Sequence, residues 1–111
     1  MSNPYHQIDP IISAWVARHG YTLFENIAGN VDPCRCVYLS SSSDECCQVW
    51  VEVPVGEHVF VHAADVEARG DGCLRMDWKA TTASLDATLE LAVSAVQKWL
   101  ARDPAYAGRK P

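Results

Sequence analysis

Residues 46–79 read CCQVWVEVPVGEHVFVHAADVEARGDGCLRMDWK, and this stretch decides the fold. Three runs in it alternate apolar and polar residues, and turn residues at 54–56 and 69–72 separate the runs. Alternation with a period of two, interrupted by glycine and proline, is typical of half-buried antiparallel strands joined by hairpins. The stretch therefore predicts an antiparallel meander.

The alternation also assigns each strand two faces. Pairing Val51 with Val59 gives one consistent register, since a slip of one residue would bury the wrong set. The same register sets Glu52 opposite His58 as a cross-strand ion pair. The residues predicted to face the core are Cys47, Val49, Val51, Val53, Val59, Val61, Ala63, Leu74, Met76 and Trp78.

Helical patterns lie on both sides of the meander. Asp9 is predicted as the N-cap of the first helix, with Pro10 as its first helical residue and Gly20 at its end. Ser84 is predicted to cap a longer helix that ends before Pro104. An apolar stripe runs along this second helix: Leu85, Leu89, Ala92, Val93, Val96 and Leu100, widened by Leu91, Ala95 and Trp99.

Two further strands are predicted before the meander, at 21–27 and 34–39. The predicted fold is α+β: a two-layer sandwich in which a four- to five-stranded antiparallel meander is flanked by an N-terminal and a long C-terminal helix. The chain of 111 residues is expected to form a single domain, 1–111, with loose termini at 1–8 and 103–111.

The cysteine and histidine spacings do not favour a metal site. Structural zinc sites separate paired cysteines by two or more residues, unlike the C-x-C at 34–36 or the adjacent pair at 46–47. On a strand, His58 and His62 would lie about 13 Å apart, which is too far to share one ion. We therefore expect no metal or cofactor, and reduced cysteines that pack in the sheet. Since residues 1–9 do not resemble an export signal, the expected location is the cytoplasm.

The charge pattern limits the partners. The formal net charge is −5, and eight acidic residues against two arginines lie between Asp44 and Asp77. An acidic surface repels the phosphate backbone of nucleic acids and attracts basic proteins. No run approaches the roughly 18 apolar residues that cross a bilayer. We therefore expect a protein partner, with no direct nucleic acid or membrane binding.

The side of the sheet that faces away from the valines is the predicted binding surface. It combines large aromatic residues with charged and hydrogen-bonding groups, the composition of interface hot spots. Two alternatives are that another element covers Trp50 and Phe60, or that a homodimer forms across this face. Because no catalytic motif is present, we expect no enzyme activity. The predicted partner-binding residues are Asp44, Glu45, Gln48, Trp50, Glu52, His58, Phe60, His62 and Asp77.

In its size, acidity and helix–meander–helix order across residues 9–102, the chain resembles small bacterial immunity proteins, including those of contact-dependent growth inhibition systems. The resemblance implies a toxin inhibitor that occludes the active site of a cognate toxin, often a basic nuclease, with its acidic residues imitating phosphates. One alternative is a dimeric secretion-chaperone-like protein, although those usually carry a helix between strands that 34–79 lacks. A third is a small enzyme that uses a cysteine or histidine.

Overall fold

A computed structural model of the protein describes residues 4–25, 34–40, 46–65 and 75–101. The strands form one antiparallel sheet in the order β1-β2-β3-β4. Both helices pack on the same face of this sheet, and this confirms the predicted α+β arrangement. The elements are α1 Asp9–His19, β1 Arg35–Ser40, β2 Cys46–Val51, β3 Val59–Asp65, β4 Arg75–Ala80 and α2 Leu85–Ala101.

α1 ends as predicted but begins one residue earlier than predicted, at Asp9, with a different N-terminal cap. Ile8 occupies the cap position, and no side chain caps the helix. Asp9 instead turns its carboxylate to Arg35, at 2.7 and 3.0 Å, so the predicted capping role of Asp9 is wrong. Gly20 ends the helix as predicted, in a left-handed conformation with φ of 72° that glycine adopts without steric cost.

The segment before α1 is packed rather than loose over its described part. Tyr5 and Ile8 are buried in the main core. The Tyr5 hydroxyl donates a hydrogen bond of 2.9 Å to the carbonyl of Val51, and the Arg35 guanidinium lies over its ring. Sequence pattern alone could not detect this packing, because residues 1–8 have neither helical nor strand periodicity.

The β2–β3 hairpin has a register two residues away from the predicted one. Val51 pairs with Val61, and Trp50 pairs with His62. The turn begins at Gly56, whose φ is 61°, as type I′ and II′ turns require. An isolated bridge between Val55 and His58 lengthens the hairpin. Because the shift is an even number of residues, every side chain keeps its predicted face.

The core lies between the helices and one sheet face. Val49, Val51, Val59 and Val61 are buried there as predicted, together with the apolar stripe of α2 from Leu85 to Trp99. The predicted burial is wrong for three residues. Val53 is 38% exposed, Met76 is 44% exposed and Leu91 is 57% exposed. Val53 follows the end of β2, whereas the other two border the outer edge of β4.

The predicted strand at 21–27 is not a regular strand over its described residues. Among residues 21–25, Phe24 forms an isolated bridge to Cys36, and the Glu25 carbonyl accepts the N–H of Cys34. This bridge lies along the outer side of β1, where Phe24 also contacts Tyr38 edge-on. The predicted turn at 69–72, the core residue Leu74 and the tail at 103–111 lie outside the described residues.

An ion-pair cluster, called here the helix junction, connects α1 to α2. Arg18 contacts Asp86 at 2.9 Å, and His19 Nε2 contacts Glu90 at 2.8 Å.

Ser84 precedes α2 as predicted, and its carbonyl accepts the N–H of Thr88. Its hydroxyl, however, accepts the N–H of Thr81 instead of one in the first helical turn. Neither helix of the described chain is long and apolar enough to cross a membrane.

Candidate functional site

The sheet face opposite the helices, called here the polar face, carries a cluster centred on His62. We call it the His62 cluster; its members are Trp50, Glu52, His62, Arg75 and Asp77. The register brings them together, since His62 pairs with Trp50 on one neighbouring strand and with Asp77 on the other. Glu52 follows β2, and its N–H bonds to the carbonyl of Phe60. Three adjacent strands therefore build one site.

His62 is held by carboxylates on both sides of its ring. Its Nδ1 lies 2.6 Å from Asp77 Oδ1, and its Nε2 is hydrogen-bonded to Glu52 Oε2. Ionised carboxylates only accept hydrogen bonds, so a ring nitrogen that bonds to one of them is the donor. This arrangement holds the ring between the two carboxylates. His62 itself is only 8% exposed.

Aromatic stacking fixes the plane of the imidazole ring. The rings of Trp50 and His62 stack with centroids 4.9 Å apart and an interplanar angle of 24°. The Arg75 guanidinium lies 5.4 Å from the Trp50 ring centroid, a favourable cation–π geometry. Trp50 therefore contacts both the His62 ring and the Arg75 guanidinium while remaining only half-buried.

The two carboxylates are oriented by the cluster but remain accessible. The side chains of Glu52 and Asp77 are each 53% exposed. Hydrogen bonds from His62 and Arg75 hold the pKa of Asp77 below its ordinary value, because both donors favour the ionised carboxylate. Asp77 Oδ1 accepts both of these bonds. Among the described residues, no donor reaches Asp77 Oδ2 or Glu52 Oε1.

The remaining predicted site residues have different surroundings. Gln48 lies on the polar face, where its amide donates to the Tyr38 hydroxyl at 3.3 Å. Phe60 is half-buried between His62 and the exposed His58 at the hairpin turn. The predicted Glu52–His58 ion pair is wrong. In the observed register, the Glu52 carboxylate is hydrogen-bonded to His62 instead. Asp44 and Glu45 lie outside the described residues.

Arg75 and Tyr38 are absent from the predicted site, although both lie on the polar face. A signal for Arg75 was present, since residues two apart on a strand share a face and Asp77 was selected. Tyr38 was not selected because the pairing of β1 with β2, which sets it opposite Gln48, is not readable from periodicity.

The His62 cluster does not have the geometry of a metal site. Glu52 and Asp77 approach opposite nitrogens of the ring, so their oxygens point to different sides and cannot converge on one ion with His62. Among the described residues, no group of three or more metal-ligating side chains is arranged to hold a metal. The predicted wide separation of His58 and His62 follows from the same strand geometry.

The described cysteine thiols do not form a catalytic pair with the His62 imidazole. Both nitrogens of His62 are already bonded to carboxylates, so the ring has no nitrogen left to accept a thiol proton. Burial raises the pKa of the Cys34 thiol, which disfavours the nucleophilic thiolate. Cys34, Cys36, Cys46 and Cys47 are all free.

The described acidic residues of the meander do not all lie on the polar face. Asp65 is buried on the helix side, so it is not available to a partner at the His62 cluster. Arg75 and Lys79 share the polar face with Glu52 and Asp77, which balances the formal charge there. The two oriented carboxylates, rather than a broad negative surface, are the distinctive feature of the described site.

Comparison with protein-family models, characterised proteins and solved structures finds no match to this chain.

Proposed function

We propose that this chain is a protein-binding inhibitor of the immunity type, which neutralises a toxin by docking the polar face over its active site. The observation that carries the proposal is the His62 cluster: two half-exposed carboxylates, held in fixed positions beside half-buried aromatic side chains. A surface with oriented charges and aromatic anchors loses little conformational freedom on binding, and this favours a tight complex.

The partner groups that this site would recognise are arginine or lysine side chains. Glu52 and Asp77 each retain an oxygen that accepts no hydrogen bond from a described residue. Charge-assisted hydrogen bonds to such oxygens are the strong ones. A nuclease that binds phosphates carries such cations at its active site. The proposed inhibition is steric and electrostatic occlusion without any chemical step, and the cytoplasm is the proposed location.

The balanced charge of the polar face limits which acidic residues could imitate phosphates there. Phosphate imitation at this face would rest on Glu52 and Asp77, because Asp65 is buried. Asp44 and Glu45 remain predicted contributors. The specificity of the complex then comes from a few oriented groups, and long-range attraction comes from the net charge of −5.

The proposal is tested with a double variant of the polar face, Trp50→Ala with Glu52→Arg. Wild type and variant are used as baits in an extract of the native host, and captured proteins are identified by mass spectrometry. Losing an aromatic anchor and reversing a charge should weaken binding of the specific partner by roughly thirtyfold or more. Co-expression of wild type should then suppress the toxicity of that partner.

A matched control has the same change in net charge on the helix side. Ser13→Lys with Gln97→Lys adds two positive charges at exposed positions of α1 and α2, and it should bind like wild type. If the face variant binds the captured partner as tightly as this control, the polar face is not the docking site. If the partner is not toxic, or stays toxic beside the wild-type chain, the inhibitor function is wrong.

Ionic strength provides an independent test of the electrostatic contribution. Salt screens long-range attraction, so the association rate of the purified complex should fall as ionic strength rises, whereas the dissociation rate should change less. An association rate that does not respond to salt would remove the electrostatic part of the proposal.

A further inference from the structure

The two edges of the sheet differ in how their backbone groups are satisfied. On the outer side of β1, Phe24 and Cys36 exchange backbone hydrogen bonds of 2.8 and 3.1 Å. No described residue pairs with the outer side of β4. An unpaired edge presents a row of N–H and C=O groups that can pair with another strand.

The direction of these groups in β4 follows from the hairpin. The bond from Glu52 N–H to the Phe60 carbonyl means that the backbone groups of Phe60 point toward β2. Since these directions alternate along an antiparallel strand, those of Val61 point toward β4 and bond with Trp78. The backbone groups of the residues on either side of Trp78 therefore point outward from the edge: those of Arg75, Asp77 and Lys79.

The side chains along this edge are complementary to a second copy of themselves. On the polar face their charges alternate as Arg75, Asp77 and Lys79. Arg75 is already bonded to Asp77 at 3.1 Å. Lys79 makes no ion pair with any described residue, and Asp77 Oδ2 accepts no bond from one. One unpaired cation and one available anionic oxygen are thus two positions apart on the same face.

The helix side of the edge is apolar and incompletely covered. Met76 is 44% exposed and Leu91 is 57% exposed. Both border an open groove of about 280 Å³ between β4 and α2, which Trp78 and Trp99 also line. A strand added beside β4 would cover this side of the edge and shield its apolar side chains from water.

We propose that a second copy of this chain pairs antiparallel along β4, with Trp78 directly opposite the partner's Trp78. In this register Asp77 faces the partner's Lys79, and by symmetry Lys79 faces the partner's Asp77. A two-fold symmetric contact repeats every interaction in this way. Backbone hydrogen bonds would join Asp77 of each copy to Lys79 of the other, and the two sheets would become one sheet of eight strands.

The alternation of charge selects this register over its neighbours. A register centred on Asp77 would place Asp77 against the partner's Asp77 and Arg75 against the partner's Lys79, and like charges directly opposite each other are destabilising. A register centred on Met76 would use Arg75 again, which is already engaged with Asp77 and Trp50. It would also leave Lys79 without an anion opposite it among the described residues.

This dimer does not depend on the proposed inhibitor function. It leaves the polar faces of both copies exposed and places two His62 clusters side by side on one sheet. A partner that carries two copies of the matching surface could bind both sites at once. After the first site binds, the effective concentration for binding at the second site is raised.

Sedimentation of the full chain across the micromolar range tests the dimer. Wild type should show a reversible, concentration-dependent increase in mass to that of two chains. Lys79→Glu faces the partner's Asp77 with a like charge twice, so its dimer dissociation constant should rise at least about tenfold. Lys79→Arg keeps the charge and should dimerise like wild type. A wild type that stays monomeric at every concentration overturns the proposal, as does a dimer that Lys79→Glu leaves unchanged.

Cross-linking tests the register. Directly opposed residues of a non-hydrogen-bonded antiparallel pair have Cα atoms about 4.5 Å apart, within the range of disulfides. Trp78→Cys should therefore form a linked dimer upon mild oxidation, identified by mass spectrometry as a peptide joining two copies of residue 78. Met76→Cys should not link to itself, because the two copies of residue 76 would lie about 13 Å apart.

Wild type is oxidised in parallel, because it contains cysteines of its own. A residue 76 link without a residue 78 link would overturn the proposed register. If Trp78→Cys does not fold, sedimentation still decides whether β4 is the dimer edge, because it compares the dimerisation of Lys79→Glu with that of Lys79→Arg.

Discussion

Two ion-pair clusters centred on histidines lie on opposite sides of the sheet, and they differ in what they join. At the helix junction, His19 stacks on Tyr21 with centroids 4.9 Å apart, and it contacts Glu90, which is 71 positions away in the chain. In the His62 cluster, His62 stacks on Trp50 at the same distance. Its carboxylates, however, come from β4 and from the end of β2, which backbone hydrogen bonds already join to β3.

The difference separates a structural role from a candidate functional one. The helix junction connects two helices that have no backbone hydrogen bonds in common, so its ion pairs contribute to their docking. The His62 cluster connects strands whose register is already determined, and it orients two carboxylates at the surface. We therefore expect changes on the helix side to reduce stability and changes on the polar face to reduce partner binding.

The largest expected difference between the two sides concerns arginines changed to methionine. Arg35, 6% exposed, is bonded on the helix side to Asp9 and to the carbonyl of Cys34. Arg35→Met breaks a buried ion pair and should lower the free energy of unfolding by about 3 kcal/mol, measured by urea denaturation. Arg75→Met, at a position 53% exposed on the polar face, should lower it by less than about 0.5 kcal/mol. Equal losses would contradict the comparison.

Tyr5 should make the helix side sensitive to alkali. Burial raises its pKa from 10.0 to about 12, so the folded state keeps a proton that the unfolded state loses in this range. The stabilisation is present below pH 10 and is lost as pH rises from 10 to about 12, by roughly 2–3 kcal/mol. Unfolding measurements across this range should show a shallower loss for Tyr5→Phe than for wild type.

Tyr38 on the polar face is the comparison for this titration, because partial burial raises its pKa too but its side chain is 39% exposed. Its hydroxyl lies at the surface beside Gln48, and its side chain takes no part in the core. Tyr38→Phe should retain most of the wild-type loss between pH 10 and 12. If Tyr38→Phe and Tyr5→Phe flatten the profile equally, the alkaline sensitivity does not arise from burial of Tyr5.

Glutamates changed to alanine compare the two clusters themselves. Glu90 is the common acceptor for Arg18 and His19. Glu90→Ala should lower the free energy of unfolding by about 1 kcal/mol and the melting temperature by about 4 °C, with partner binding unchanged. Glu52→Ala should lower the unfolding free energy by less than about 0.5 kcal/mol and should weaken partner binding. A reversed order in calorimetry would assign the structural role to the His62 cluster.

The smallest expected effect is the response to acid. Bonds from Arg18 and His19 lower the pKa of Glu90, and bonds from His62 and Arg75 lower that of Asp77. A carboxylate whose pKa is lowered by folding stabilises the fold at pH values above its ordinary pKa. This stabilisation is lost as the pH falls through the pKa of the folded state. Both Glu90→Gln and Asp77→Asn should therefore flatten the loss of stability below about pH 4.5.

The flattening should be larger for Glu90→Gln. The donors of Glu90 are 71 and 72 positions away, so unfolding separates them completely. Arg75 is two positions from Asp77 and stays near it in the unfolded chain, which retains part of the pKa shift. Acid unfolding followed by circular dichroism would show equal flattening for Glu90→Gln and Asp77→Asn if the two clusters had equal roles.

Much of the fold could be predicted because each element has its own periodicity. Val49, Val51 and Val61 followed the period of two and were assigned to the buried face correctly. Gly20 ended α1 at the predicted position because few other residues adopt a left-handed conformation at low cost. The composition of the polar face followed from the same alternation, so Trp50, Phe60 and His62 were selected without knowledge of the register.

The pairing partners within the site could not be predicted in the same way. The predicted partner of Glu52 was His58, because the predicted register set Val51 opposite Val59. The bridge between Val55 and His58 and the pairing of Val51 with Val61 place an extra residue at 53–54, which moves His62 into register with Trp50. Alternating patterns repeat every two residues, so they do not distinguish registers that differ by two.

By itself, the sequence of this protein determined which residues lie on each face of the sheet and where the helices begin and end within a residue or two. These features depend on local periodicity and on residues such as proline and glycine that restrict or relax the backbone. Only the tertiary structure decided that Asp9 binds Arg35, that Tyr5 is buried and that His62 lies between two carboxylates. Those contacts join distant positions or depend on strand register, and their free energy arises only when the whole chain is packed.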